Sequence, residues 1–447
     1  MTFHDLNIKK PLLNALDELG YTTPTSIQAK GFSVMMSGKD VIGIAQTGTG
    51  KTMAYLLPVL NQWQFSKDPH PQILVVVPTR ELVMQVVREV EKLTPNMNVV
   101  VGGVYGGANI NTQAAMVLQG LDVLVGTPGR LLDLALKGSL QLKHIKRLVI
   151  DEVDETLGLG FRPQLTRLFE YLPAKRQNLV FSATLSEEVE AFLDEHFNQP
   201  VKVEAAPAGT PLEQITQLAY ELPNFHTKVN LLKHLLASDS GMNKVLAFVS
   251  SKTLADLLFD EMEPMLGHEV GVIHSNKSQN FRFNSVNHFQ NGIYRLLIAT
   301  DLIARGLDIT EVSHVINFDI PEVTENYIHR IGRTGRADQR GESISFVTPA
   351  DQARVADIES FMQLNIPRAD LPAEVEISTV LIDYEKPRPV MPEAAIKLPK
   401  REDVGPAFHE KKAKNKKVNV RKDYKEEMMK KYGKRKTRGQ KQPKKKR

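Results

Sequence analysis

The feature that most constrains this 447-residue chain is a repeated alternation. Short β-branched runs are separated by longer amphipathic segments. The first series reads "VIGIA" (41–45), "ILVVVP" (73–78), "DVLVGTP" (122–128), "RLVIDE" (147–152) and "NLVFSAT" (178–184), with helix-like stretches such as 51–62 and 80–93 between them. A second series follows: "KVLAFVSS" (244–251), "EVGVIHS" (269–275), "YRLLIATD" (294–301), "HVINFDIP" (314–321) and "ESISFVTP" (342–349). Continuous apolar strands alternating with helices imply a parallel sheet covered on both faces. The Ala-, Pro- and Gly-rich stretch "EAAPAGTPLEQ" (204–214) between the series reads as a connector. The expected organisation is α/β, with two tandem parallel-sheet domains over 1–205 and 214–375, a linker at 206–213, and a mostly disordered basic tail over 376–447. A short helix is expected near 421–432.

Composition narrows the classes. The chain has no cysteine, which excludes disulfides and Cys-ligated zinc or iron–sulfur sites and fits a reducing, cytoplasmic setting. No run approaches the roughly 20 apolar residues that span a bilayer, and the first twenty residues lack the apolar core of a secretory signal. The net charge of +5 conceals an asymmetry: 397–447 carries a net +16, and 1–396 a net −11. Such a basic block reads as an arm for a polyanion.

Three motifs carry chemistry. "AQTGTGKT" (45–52) follows a strand and fits the phosphate-loop pattern with Ala45 in the first position. Gly48 and Gly50 let backbone N–H groups approach phosphate oxygens, and the following helix directs its positive end there. Thr47 and Thr49 complete the loop, Lys51 can reach the β and γ phosphates, and the Thr52 hydroxyl suits Mg²⁺. Strand "RLVI" then delivers Asp151 and Glu152 to the same sheet edge. Asp151 can hold Mg²⁺ and Glu152 can deprotonate the attacking water. The competing reading is an acidic helix N-cap. In "YIHRIGRTGRA" (327–337), Arg330, Arg333 and Arg336 recur every third residue, a helical spacing suited to phosphate charge.

Together these motifs resemble the DEAD-box ATP-dependent RNA helicases over about residues 1 to 365, in the family's order. The resemblance implies two RecA-like domains and ATP with Mg²⁺ as the nucleotide and metal. "GYTTPTSIQ" (20–28) is similar to the adenine-reading motif, with Gln28 at the base edge and Phe3 placed like the stacking aromatic. Pro78, Thr79 and Arg80, Gly107, and Thr127, Pro128, Gly129 and Arg130 are implied RNA contacts in the first domain. Gln279, Arg282 and Thr300 are their counterparts in the second, where Phe248 falls in the fourth motif. Ser182, Ala183, Thr184 and His329 are placed to couple hydrolysis to unwinding. Asp301 belongs to the ribose or arginine network, and Arg330 and Arg333 to the arginine fingers. The departures are Val153 where the family has Ala, Gly158 where Asp is common, and "HSNKSQNFR" (274–282).

The implied function is RNA-stimulated ATP hydrolysis coupled to local unwinding of short duplexes or remodelling of ribonucleoprotein. The RNA-facing motifs are rich in Thr, Gly and Arg, so contact should fall on phosphate and sugar and be indifferent to sequence. Ribosomal or RNA-decay proteins are partners that the resemblance admits; a membrane is not. The main rival reading is an ATP-dependent RNA clamp or assembly scaffold with weak unwinding; a DNA helicase or translocase and a tail-driven RNA annealer are the others.

Overall fold

The computed structural model describes residues 1–45, 49–197, 199–204, 215–301, 312–335, 341–386 and 424–433. Thr47, Gly48, the 206–213 linker, Arg336 and most of the tail lie outside the described residues. Two units are distinguished, 1–386 and 387–447. Of the second, the described part is the helix Tyr424–Tyr432.

Unit 1 holds two seven-stranded sheets in which all paired strands are parallel. The first has β1 (Val41–Ile44), β2 (Ile73–Val76), β3 (Val101–Val104), β4 (Val123–Gly126), β5 (Arg147–Ile150), β6 (Gln177–Ser182) and β7 (Val201–Glu204), in the order β3-β4-β2-β5-β6-β1-β7. The second has β8 (Ile215–Glu221), β9 (Val245–Val249), β10 (Val270–Ile273), β11 (Leu296–Thr300), β12 (His314–Asn317), β13 (Gly341–Val347) and β14 (Arg368–Ala369), ordered β10-β11-β9-β12-β13-β8-β14. Successive side chains feed opposite faces. Val75, Val149 and Leu179 enter one core, while Leu74, Leu148, Ile150 and Val180 enter the other. Both faces of each central strand are therefore buried, which is why these strands read as unbroken apolar runs.

The sequence reading did not name β3, β7, β8 or β14. β3, β7 and β14 are edge strands. β3 is half glycine: a Cβ on Gly102 would strike the Leu121 side chain, and one on Gly103 the Val83 side chain. β8 alternates buried and exposed positions at its start, so it never forms an apolar run.

The packed part of unit 1 also runs past the expected boundary at 375. Asn224 Nδ2 donates to the Ser378 carbonyl at 2.5 Å, and Phe225 N to Glu385 at 2.6 Å. Val375 is buried in the second domain's core, with Ile382 packed against it. Residues 376–386 are thus a strap over the helix Phe225–Ser238, held by backbone groups that composition does not advertise.

Candidate nucleotide and nucleic-acid site

The carboxyl edge of the first sheet collects the predicted nucleotide residues. β6 lies between β1 and β5. Ala45 N donates to the Ser182 carbonyl at 3.0 Å, and Asp151 N to the Val76 carbonyl at 3.0 Å. Gly50 caps the helix Lys51–Asn61 with φ 85°, in the left-handed region. Its carbonyl accepts from Gln28 Nε2 at 3.1 Å, and a Cβ there would lie 2.4 Å from that nitrogen. Glycine is required twice over, by conformation and by the amide packed on it. The Gln28 carbonyl oxygen accepts from Thr25 N at 2.9 Å, so the side chain is oriented before any base arrives. Phe3 is 3% exposed and belongs to the core beside it, which leaves little ring face for stacking.

Three acids, Asp151, Glu152 and Asp154, feel the charge of one lysine here. Lys51 is 6% exposed, and its Nζ has no hydrogen-bond partner among the described residues. Glu152 begins the helix Val153–Gly158 at φ 50°, ψ 53°, a left-handed conformation rare for a side-chain-bearing residue. Its side chain makes no cap bond, and Oε2 is buried without a partner among the described residues. Glu152 is thus the helix N-cap by position, but its side chain does not cap the helix. Burial first, then Glu155 and Asp151, push its carboxyl up to about 8, while Lys51 and Arg333 oppose the rise. Asp151 is also raised by burial, against the pull of Lys51; its Oδ1 accepts from Glu152 N at 2.9 Å.

Asp154 behaves oppositely. Burial raises it, but the charges of His329 and Lys51 and several donors hold it below the ordinary carboxylate range. Its Oδ2 accepts from Ala183 N and Thr184 N at 3.0 Å each and from Thr184 Oγ1 at 3.1 Å. Ser182 Oγ donates to the Thr184 carbonyl at 2.6 Å. "DEVD" and "SAT" are thus one hydrogen-bonded unit, with His329 of the second sheet's domain bearing on it. Asp154 is not among the acids singled out in the sequence, because its role depends on partners about thirty residues away. Val153 is fully buried in the core beneath, so its two methyl groups are accommodated while Asp154 keeps all three bonds.

A groove brings together five of the eleven residues expected to contact RNA. Pro78, Thr79, Arg80, Thr127 and Arg282 line it, together with Gly106, Leu159, Phe161 and Ser275. Thr79 caps the helix Arg80–Leu93 by accepting from Leu82 N at 3.3 Å. Gly107, at φ 79°, lies against the Arg80 guanidinium. Glu81, which the sequence reading passed over, pairs across the two domains with Arg282 at 3.3 Å, both side chains nearly buried. Arg130 is buried instead and braces the neighbouring loop, donating to Gln113 Oε1 at 2.6 Å and to the Ala108 carbonyl at 3.0 Å. Pro128 and Gly129 open its helix, Pro128–Leu136. Gln279 opens the helix Gln279–Gln290, and Thr300 ends β11.

The arginine motif departs from its expected geometry. The helix Thr324–Ile331 stops at Gly332, so Arg330 and Arg333 do not share a helical face; the glycine breaks the spacing. Arg330 is 2% exposed and fully committed. It clamps Asp301 at 2.6 and 2.8 Å, donates to the Asp319 carbonyl at 2.6 Å and lies over the Phe248 ring at 5.0 Å. Arg333, also buried, is the one whose charge reaches Glu152.

Comparison with known proteins agrees with this geometry. The DEAD/DEAH box helicase model matches residues 25–192, and the helicase conserved C-terminal domain model matches 227–338. The chain belongs to the DEAD-box helicase family. This DEAD-box helicase is 38% identical over 373 residues to the ATP-dependent RNA helicase RhlB of Shewanella frigidimarina, covering 82% of this chain and 85% of the relative. It is 36% identical over 378 residues to the ATP-dependent RNA helicase DbpA of Bacillus subtilis, covering 84% and 78%. Among solved structures, Saccharomyces cerevisiae Dbp5 bound to RNA and ADP BeF3 aligns with a TM-score of 0.75 and 28% identity over 83% of this chain and 95% of that one. Mss116p bound to single-stranded RNA and AMP-PNP aligns with a TM-score of 0.76 and 25% identity, over 83% and 80%. The two sheets of this DEAD-box helicase are accordingly tandem RecA-like domains.

Proposed function

We infer that this DEAD-box helicase is an ATP-dependent RNA helicase in which the two domains build one catalytic centre. The observation that carries the reading is the set of buried groups without protein partners at the nucleotide edge. A buried ammonium and a buried carboxyl oxygen left unbonded cost free energy, and a triphosphate with an attacking water satisfies both. Lys51 binds the β and γ phosphates, and the Thr49–Gly50 backbone and the start of the following helix take the rest of their charge. The donor set suits Mg²⁺: the Thr52 hydroxyl and the Asp151 carboxylate are hard oxygen ligands. These two residues would hold the ion, which would supply positive charge to offset that of the phosphates.

Glu152 takes the proton of the attacking water. Arg333 adds positive charge from the second domain as the γ-phosphoryl group departs, a contribution of about 10³–10⁵ in rate. Arg330 does not reach for phosphate; it holds Asp301, and so the shape of the second domain's edge. RNA lies in the groove between Thr79–Arg80 and Arg282, read through phosphate and sugar, with the basic tail adding long-range attraction. Bending of the strand there breaks pairs locally. Asp154, bonded to "SAT" and facing His329, passes domain closure to that strand. That intact connection favours unwinding over a clamp that only holds RNA.

The test sets ATP turnover beside displacement of a short RNA duplex. The parent chain should hydrolyse ATP faster with RNA and separate the strands. Glu152→Gln should lose turnover while still binding RNA in the presence of ATP. Full RNA-stimulated turnover with no displacement would convert the reading to a clamp.

A further inference from the structure

At the opposite, amino edge of the first sheet, away from nucleotide and RNA, lies a second cluster of donors. Asp68 and His70 sit in the loop that leads into β2, and His144 ends the short 3-10 turn Leu142–His144 that precedes β5. β2 and β5 are paired, with Ile73 opposite Arg147, so the two loops are neighbours by construction. One donor atom from each of the three residues lies within 4.8 Å of the other two. His144 Nδ1 is 2.7 Å from Asp68 Oδ2, and the two imidazole rings lie 4.5 Å apart at 35°.

We propose that Asp68, His70 and His144 form a binding site for a borderline divalent transition-metal ion, of which Zn²⁺ is the leading member. Two imidazoles and one carboxylate are the ligand chemistry of zinc and its first-row neighbours, whereas Mg²⁺ and Ca²⁺ take oxygen sets. The loop is built to hold its donors. In "KDPHPQ" (67–72) prolines flank His70 on both sides, fixing the backbone there. Ser66 Oγ accepts from Asp68 N at 3.1 Å, and Asp68 Oδ1 accepts from His70 N at 3.1 Å. Leu121 N donates to the Pro69 carbonyl at 3.1 Å and ties the loop to the sheet. His144 Nε2 is buried without a partner among the described residues.

The competing account is a His–Asp ion pair beside a ring stack. His144 and Asp68 are 30% and 36% exposed, and such a pair is worth at most about 1 kcal/mol. It also leaves His70 with no polar reason to face His144. A tetrahedral ion with ligand bonds of about 2.0–2.1 Å needs donors roughly 3.3 Å apart, so the close pair must open by about half an ångström and the third donor must draw in. Both are small side-chain movements in a partly exposed pocket. Lys143, Lys146 and Lys175 rim the same pocket and oppose a dication. All three are exposed, so their effect is screened at physiological salt. Three protein ligands leave a position for water, and the ion would clip the loop before β2 to the turn before β5.

The experiment titrates the full chain with Co²⁺ in excess Mg²⁺ and without nucleotide, reading visible absorption. One equivalent should bind with the intense bands of a low-coordinate site, and Zn²⁺ should displace it. His144→Ala and His70→Ala should each weaken binding by roughly tenfold or more, without change in metal-free melting temperature or RNA-stimulated ATP turnover. Absence of such a band, or equal Co²⁺ binding by parent and both variants, overturns the assignment. Binding elsewhere, for example at His409, would appear as that second outcome.

Discussion

The two domains present opposite polar economies at their facing edges. In the first, Lys51 Nζ and Glu152 Oε2 are buried with no partner among the described residues. In the second, Arg330 is engaged on Asp301, Asn317 and the Asp319 carbonyl. Asp319 in turn pairs with the nearly buried Lys228 at 3.0 Å and, despite burial, is held below the ordinary carboxylate range by that lysine and by bonds from Ser250. An unpaired buried charge is expensive and is kept where a ligand completes it. A paired one is a scaffold. Burial alone therefore separates neither arginine from the other; the identity of the partner does.

Arg333→Ala and Arg330→Ala break this comparison most directly. Arg333→Ala should lower RNA-stimulated turnover by about 10³ or more. Arg330→Ala leaves the Asp301 carboxylate without its guanidinium. Loss of one member of a buried pair costs about 3–5 kcal/mol, and Asp301 is a quarter exposed, so the lower end applies. Urea unfolding should show that loss, with turnover falling because the fold of the edge is damaged. If Arg330→Ala keeps parental stability and loses turnover as Arg333→Ala does, the scaffold role is wrong.

A pH dependence tests the unpaired side. Glu152 has a folded carboxyl at about 8 against an ordinary 4.5. Between those values the folded chain keeps a proton that the unfolded chain releases, so stability falls as pH rises through that window. Glu152→Gln removes the titration. Its melting temperature should exceed the parent's at about pH 8.5, by about 2–4 °C for each kcal/mol recovered, and converge on it near pH 4.5. A constant difference across that range would mean that Glu152 does not titrate in this way.

Much of this was legible in the sequence because the informative signals are local. "AQTGTGKT" and "DEVD" follow apolar strands, and parallel topology sends both to one edge. Pro78, Thr79, Arg80, Thr127 and Arg282, which line the groove, came with their motifs. What stayed hidden depends on distant partners. The Asp154 contact to Ala183 and Thr184 spans about thirty residues, and Glu81 meets Arg282 across two domains. The arginine triplet misled because spacing by three reads as a helix, while Gly332 ends that helix between Arg330 and Arg333. The strap over 376–386 contains no proline; it stayed hidden because its hold comes from single bonds between side chains and backbone groups more than 150 residues apart.

The smallest expected effect concerns the other departure from the family pattern. Gly158 is the exposed last residue of the helix Val153–Gly158, and a Cβ there meets nothing within 4 Å. Gly158→Asp should therefore fit without strain. Replacing glycine at a compatible position stabilises by about 0.4–1 kcal/mol through the unfolded chain. A carboxylate at a helix C-terminus costs about 0.3–1 kcal/mol against the dipole. These nearly cancel, so the melting temperature should stay within about 0.5 kcal/mol of the parent's in stability terms. Its neighbours Leu159 and Phe161 line the groove proposed for RNA, which makes strand displacement the sensitive readout. A tenfold change there at unchanged stability would show that glycine was retained to keep negative charge away from the RNA strand, and that the polar economy of the first domain extends beyond its nucleotide edge.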